Sequence, residues 1–63
     1  MNINQKIEKV RAEKGITKKH IADQFCKSAT WYGSVAKGEI RIKAEDIPKF
    51  ADVLGVNVNY FFD

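Results

Sequence analysis

Apolar residues recur near the start of the chain at Ile3, Ile7 and Val10, four and three positions apart, with Lys, Glu and Gln between them. A helix turns by about 100° per residue, so this spacing lines the three up as one stripe and predicts an amphipathic helix that Gly15 stops. Thr17 is suited to cap a second, short helix with Ile21, Ala22 and Phe25 on one side. After the tight break "CKS", Ser28 caps a third helix whose apolar face is Tyr32, Val35 and Ala36, and Gly38 supplies a left-handed terminating residue. The alternation in "EIRIKAED" could suit a strand, but there is no second strand for it to pair with, so it reads as a loop. Pro48 has no amide hydrogen and fits only the first turn of a helix. That makes Glu45 or Asp46 the cap of a fourth helix, with Ile47, Phe50, Ala51 and Leu54 inward and Gly55 at its end. A last short helix opens at Asn57, with Val56 and Phe61 as a hydrophobic staple. The pattern thus predicts an all-α, five-helix domain over residues 1–63 with no repeats and no linker.

Sixty-three residues make one small core of marginal size, which speaks against a large catalytic cleft. The single cysteine, Cys26, cannot form an internal disulfide and reads as a small buried residue. No metal site and no cofactor is expected, because no Cys/His run has ligand spacing and no glycine-rich phosphate loop is present. His20 has no partner nearby in sequence and reads as a surface or cap residue. Without a paired nucleophile and base, an enzyme is not expected. No stretch is long and apolar enough to span a membrane, and no signal-peptide core follows the start, so the expectation is cytoplasmic.

Charge changes the picture more. Residues 1–43 hold ten Lys/Arg against four Asp/Glu, a balance of +6, whereas residues 44–63 hold one against four, a balance of −3. A basic front of this kind suits a polyanion, although a lysine-rich solvated face would look the same.

A helix over 17–25, a three-residue break and a helix over 29–37 have the spacing of a helix-turn-helix, in which the first helix presents the second to a DNA major groove. The residues "IEKVRAEKGITKKHIADQF", Ser28, "KGE" at 37–39 and "IPKFADVLGVNVNYFF" resemble the Cro and phage-repressor type of helix-turn-helix domain, and the likeness covers nearly the whole chain. The resemblance implies a compact lambda-repressor-like fold, a bacterial or phage origin, and a DNA-binding transcriptional regulator, most simply a repressor, that binds a two-fold operator as a homodimer. It departs from the family at Cys26 and Lys27, where Gly and a small apolar residue are usual. It departs also at Ala36, where a Glu commonly pairs with the arginine that is here Arg11. Arg11 is therefore expected to turn outward or to find Glu39, Glu45 or Asp46, and Ala36→Glu to add about 1 kcal/mol.

With Tyr32, Val35 and Ala36 inward, Thr30, Ser34 and Lys37 fall on the opposite side of the third helix, with Gly33 at the edge. The resemblance assigns base reading to Ala29, Thr30, Gly33 and Ser34. Hydroxyls and methyls can contact base edges there, but the bidentate readers Arg, Asn and Gln are missing, so phosphate contacts should carry much of the binding. Lys18, Lys19, Lys37, Arg41 and Lys43 bracket that helix as phosphate candidates. Trp31 falls between the two faces and reads as a packing wedge before a DNA contact. Val58 and Phe62, four apart on one helical face with Tyr60 beside them, are expected to form the dimer contact. The alternative reading is a protein-binding adaptor or antirepressor on the same fold, with a regulatory protein as its partner.

Overall fold

The computed structural model describes residues 2 to 62. Asn2 begins α1 (Ile3–Lys14) with a reciprocal capping box. Its side-chain oxygen accepts from the Gln5 N–H at 2.9 Å, and the Gln5 side chain accepts from the Asn2 N–H at 3.1 Å. Thr17 caps α2 (Lys18–Gln24), accepting from the His20 N–H at 3.0 Å, and Ser28 caps α3 (Ala29–Ala36), accepting from the Trp31 N–H at 3.1 Å. His20 is an exposed surface residue and not the cap, which is Thr17. Residues 39–43 form no strand, and Ile40 and Ile42 lie half-buried against the core. A 3-10 turn, Ala44–Asp46, then runs into α4 (Ile47–Leu54), and a 3-10 helix, Val58–Phe62, closes the described chain.

The described residues therefore form four α-helices and two 3-10 segments, where the sequence pattern predicts five short helices. Asp46 takes the N-cap position of the fourth helix, one of the two candidates, but does not cap it with its side chain. Asp46 keeps a helical backbone (φ −89°, ψ −15°) and makes no side-chain cap bond, because the preceding 3-10 turn flows into α4 and leaves no extended residue there. Pro48 sits in the first turn, as its missing N–H requires. The last segment is too tightly wound for the face assigned to it. At about three residues per turn, Val58 lies over Phe61 and not over Phe62. Val58 accordingly packs against the core beside buried Phe61, while Phe62 is 64% exposed.

All four α-helices end in one backbone device, in which two successive N–H groups fold back to carbonyls of the last turn. The pairs are Gly15 to Ala12 with Ile16 to Arg11, Cys26 to Asp23 with Lys27 to Ala22, Gly38 to Val35 with Glu39 to Ser34, and Gly55 to Asp52 with Val56 to Ala51. The device needs a left-handed residue. Gly15, Gly38 and Gly55 supply it three times; at the end of α2 it is Cys26, with φ 57°. Cys26 is exposed and not buried, because this backbone aims its side chain out of the turn.

The core draws Ile7 and Val10 from α1, Ile21 and Ala22 from α2, Tyr32 and Val35 from α3, four residues of α4, and Phe61. Phe25, Trp31 and Phe50 form an aromatic cluster that wedges α3 and the end of α2 against α4, with ring centroids 4.4 to 6.4 Å apart. Lys49 Nζ lies 4.8 Å from the Phe25 ring centre and covers its outer face.

Tyr32 is fully buried on the inner side of α3, so its hydroxyl needs a partner. It donates to Glu8 Oε1 at 2.9 Å. Glu8 in turn accepts two bonds from the Arg11 guanidinium, at 2.7 and 2.8 Å, and Arg11 donates its remaining NH group to the Ile16 carbonyl. Arg11 thus finds its carboxylate one turn back on its own helix, not at Glu39, Glu45 or Asp46, and the stabilisation expected from Ala36→Glu loses its basis. The Arg11 hydrogen bond holds the Glu8 carboxyl below the usual carboxylate range, with the Tyr32 hydroxyl adding to it against the effect of burial. Burial, reinforced by the accepting carboxylate, raises the Tyr32 hydroxyl above its ordinary value.

Two outcomes follow from these local structures. Tyr32→Phe removes a buried hydrogen bond to a charged acceptor and is expected to cost about 1 to 2 kcal/mol in urea unfolding near neutral pH. The depressed Glu8 contributes stability that is present above the unfolded carboxyl value of about 4.3 and is lost as pH falls through the folded value. The raised Tyr32 contributes stability that is present below about 10 and is lost as pH rises towards its folded value. The Tyr32→Phe variant should therefore lose less stability than the wild type at both extremes; parallel pH profiles would show that the hydroxyl is not the coupling group. Separately, Cys26→Gly relieves a left-handed cost of about 1 to 2 kcal/mol against a glycine entropy penalty of about 0.5 to 1 kcal/mol. A net gain of about 0.5 kcal/mol should register as a raised unfolding midpoint.

Candidate functional site

The outer side of α3 is short and polar. Ala29, Thr30 and Lys37 are exposed, and Gly33 and Ser34 are half-buried along the same flank. The opposite side is the core face of Tyr32 and Val35, so the helix has one buried and one presented surface, as its spacing predicts. Ala36 sits between them, half-buried against the core.

Several elements hold this surface in place. Ser28 fixes the start of α3, α2 packs beneath it, and Trp31 lodges against Phe25 and Phe50, a wedge between helices as expected. At the other end, Asn4 of α1 donates from its side-chain amide to the carbonyls of both Val35 and Ile40, at 2.9 and 3.0 Å. This pins the last turn of α3 and the start of the following loop to one point. Tyr32 anchors the middle through Glu8.

Cations surround the surface. Between residues 17 and 43 there are six Lys/Arg against two acids, Asp23 and Glu39. Lys18 and Lys19 open α2, Lys37 follows the end of α3, and Arg41 and Lys43 lie in the loop; all five are exposed. Lys19 leans on Asp23 at 3.0 Å, but both side chains remain largely in water, so the pair is weak and breaks at little cost when a stronger anion is near. Lys27, in the break before α3, joins Arg41 and Lys43 around one cavity, a grouping that only the fold creates. Val58, Tyr60 and Phe62 lie in the final 3-10 helix and are not brought together as one patch. Tyr60 and Phe62 are exposed, Tyr60 meets Phe61 edge to face at 5.3 Å, and Val58 turns inward.

Asn4, Glu8 and Arg11 carry much of the positioning, and they do leave a signal in the sequence. They recur at spacings of four and three, one residue behind the Ile3, Ile7, Val10 stripe, so they form a polar ridge along the border of the buried face. All three are half-buried, and each meets another part of the chain. Lys14 adds an outer tie between the ends of α1 and α4, reaching the Gly55 carbonyl at 3.3 Å. No group of His, Cys, Asp and Glu able to hold a metal ion is found among the described residues, and no helix among them is long and apolar enough to cross a membrane.

Compared with protein-family models, with curated proteins and with solved structures, the chain matches none of them.

Gly33 is the weak point of α3 as a helix. A Cβ placed there meets nothing within 4 Å, and the backbone is not left-handed. Gly33→Ala is therefore expected to stabilise the fold by about 0.5 to 1 kcal/mol, the helix-propensity difference, measured as a shift in the denaturation midpoint at unchanged slope.

Proposed function

We propose that the protein is a sequence-specific DNA-binding transcriptional regulator, a repressor of the Cro and phage-repressor type, with α2 and α3 acting as a helix-turn-helix and α3 entering the major groove. The observation that carries the reading is the presented face of α3. It is short and polar, it is held rigidly from behind, and exposed cations lie on the segments before and after it. Base edges would be read by Ala29, Thr30, Gly33 and Ser34, through hydroxyl hydrogen bonds and close contact with thymine methyls. Lys18, Lys19, Lys37, Arg41 and Lys43 would meet phosphates, and Lys27 lies close enough to Arg41 and Lys43 to join them. Lys37, just past the helix end, is also where a cation is favoured by the helix dipole.

The glycine at position 33 fits this reading. It weakens the helix and leaves room, which makes sense where a backbone must approach another surface closely. A dimer is part of the proposal, with Tyr60 and Phe62 as its exposed aromatic contact; Val58 supports the segment from within.

Affinity measured against salt concentration, on a duplex from the gene's own upstream region and on a random duplex, tests the assignment of roles. Lys37→Ala should weaken both duplexes and lower the salt slope by about one unit. Thr30→Ala and Ser34→Ala should leave the slope unchanged and cost about 1 to 3 kcal/mol on the cognate duplex alone. Gly33→Ala should lose cognate affinity although it gains stability, which separates presentation from folding. Equal loss on both duplexes, or no loss, would remove α3 as the reader and favour the protein-binding adaptor. For assembly, Tyr60→Lys with Phe62→Lys should abolish self-association in sedimentation and weaken operator binding while leaving the fold intact; unchanged sedimentation and affinity would exclude this contact.

A further inference from the structure

Between α3, the loop 40–43 and α4 lies an open cavity of about 150 Å³. Trp31, half-buried, supplies its aromatic floor; Phe50 also lines it but is fully buried, nearly parallel to Trp31 at 15° with centroids 6.4 Å apart. Its rim carries three exposed cations, Lys27, Arg41 and Lys43, and one half-buried acid, Asp46. Asp46 makes no side-chain cap bond, and the ion pairs among the described residues, Glu8 with Arg11 and Lys19 with Asp23, do not include it. An aromatic floor, a cationic rim and one unengaged carboxylate are thus brought to one place by the break before α3, α3 itself, the loop 40–43 and the 3-10 turn.

Each feature restricts what could fill the space. A space of about this volume has room for one benzene-sized ring, so the body of the ligand is a single ring. A bare inorganic anion would satisfy the cations, but it would leave the aromatic floor uncovered and would face the like charge of Asp46. A neutral arene would cover the floor and leave the cations in water. The two charge types together call for an acid that also carries a hydrogen-bond donor.

We propose that this cavity binds a single-ring aromatic acid bearing a hydroxyl or amino group, with the ring against Trp31, the carboxylate among Lys27, Arg41 and Lys43, and the donor at Asp46. A ligand held this way engages Arg41 and Lys43, two of the cations assigned to phosphates, so it competes with DNA; this consequence rests on the DNA-binding reading.

Trp31 is the only tryptophan, so its indole N–H resonance reports directly on the cavity. The intact protein is titrated, without DNA, with 4-hydroxybenzoate, benzoate, 4-hydroxybenzyl alcohol and inorganic phosphate. A saturable shift is expected with 4-hydroxybenzoate, weakened about tenfold in the Arg41→Ala, Lys43→Ala double variant, whose exposed positions leave the fold intact. Benzoate and the alcohol should each bind more weakly, and Asp46→Ala should abolish the preference for 4-hydroxybenzoate over benzoate. No saturable shift at millimolar ligand, the same shift with phosphate, or an unchanged affinity in the double variant would overturn the proposal. With DNA present, saturating 4-hydroxybenzoate should lower DNA affinity in the wild type; undiminished affinity would overturn the competition. A wild-type protein that binds no duplex in the absence of ligand would count against the DNA reading and would leave the titration result standing.

Discussion

The hydroxyl of Tyr32 is buried under α3, and the rest of the arrangement depends on how that one group is paired. A tyrosine buried to this extent contributes a large apolar ring to a small core, but only if its polar end finds an acceptor in the right place. Glu8 is that acceptor, and a carboxylate drawn this far inward needs a positive charge beside it, which Arg11 supplies from one turn along the same helix. Arg11 then closes the chain of bonds at the Ile16 carbonyl, at the exit of α1. Rotation of α3 about its axis would break this sequence of bonds. The outward direction of Thr30 and Ser34 is therefore a consequence of an inward bond.

The same ridge of α1 governs the neighbouring loop. Asn4 holds the carbonyls of Val35 and Ile40 together, so the end of α3 and the start of the loop carrying Arg41 and Lys43 move as one unit with α1. Charge placement on the presented side is thus tied to the core through backbone carbonyls, which are shorter and stiffer levers than long cationic side chains. The aromatic cluster performs the matching task at the other flank, where Trp31 cannot shift without disturbing Phe25 and Phe50. The cavity arises from this construction: the loop is held at its first residue by Asn4 and rejoins α4 through a 3-10 turn, and it spans the space between without filling it.

Helix termination shows how tightly local geometry constrains such a short chain. Four helices close with the same pair of backbone bonds, which leaves each connection only a few residues long and keeps carbonyls from being stranded. At the end of α2 the left-handed position is held by Cys26, so the break that sets the angle between α2 and α3 carries a side chain where the other three ends carry none. The thiol faces water as a result, and its exposure follows from the backbone and not from the polarity of sulfur.

Patterning along the chain determined the all-helical class, the starts of α2 and α3 at Thr17 and Ser28, the three glycine stops, and the two sides of α3, because caps, left-handed residues and apolar stripes act over a few neighbouring residues. Thr30, Ser34 and Lys37 are legible as outward positions from Tyr32 and Val35 alone. Tertiary structure decided what depends on distant partners or on the exact winding of the backbone. It paired Arg11 with Glu8 and not with the three other acids, and the same carboxylate accepts from the Tyr32 hydroxyl. It wound the last segment as a 3-10 helix, which turned Val58 inward and separated it from Phe62. It also brought Lys27, Arg41, Lys43 and Asp46 around one aromatic floor, from positions whose separation along the chain carries no trace of that meeting.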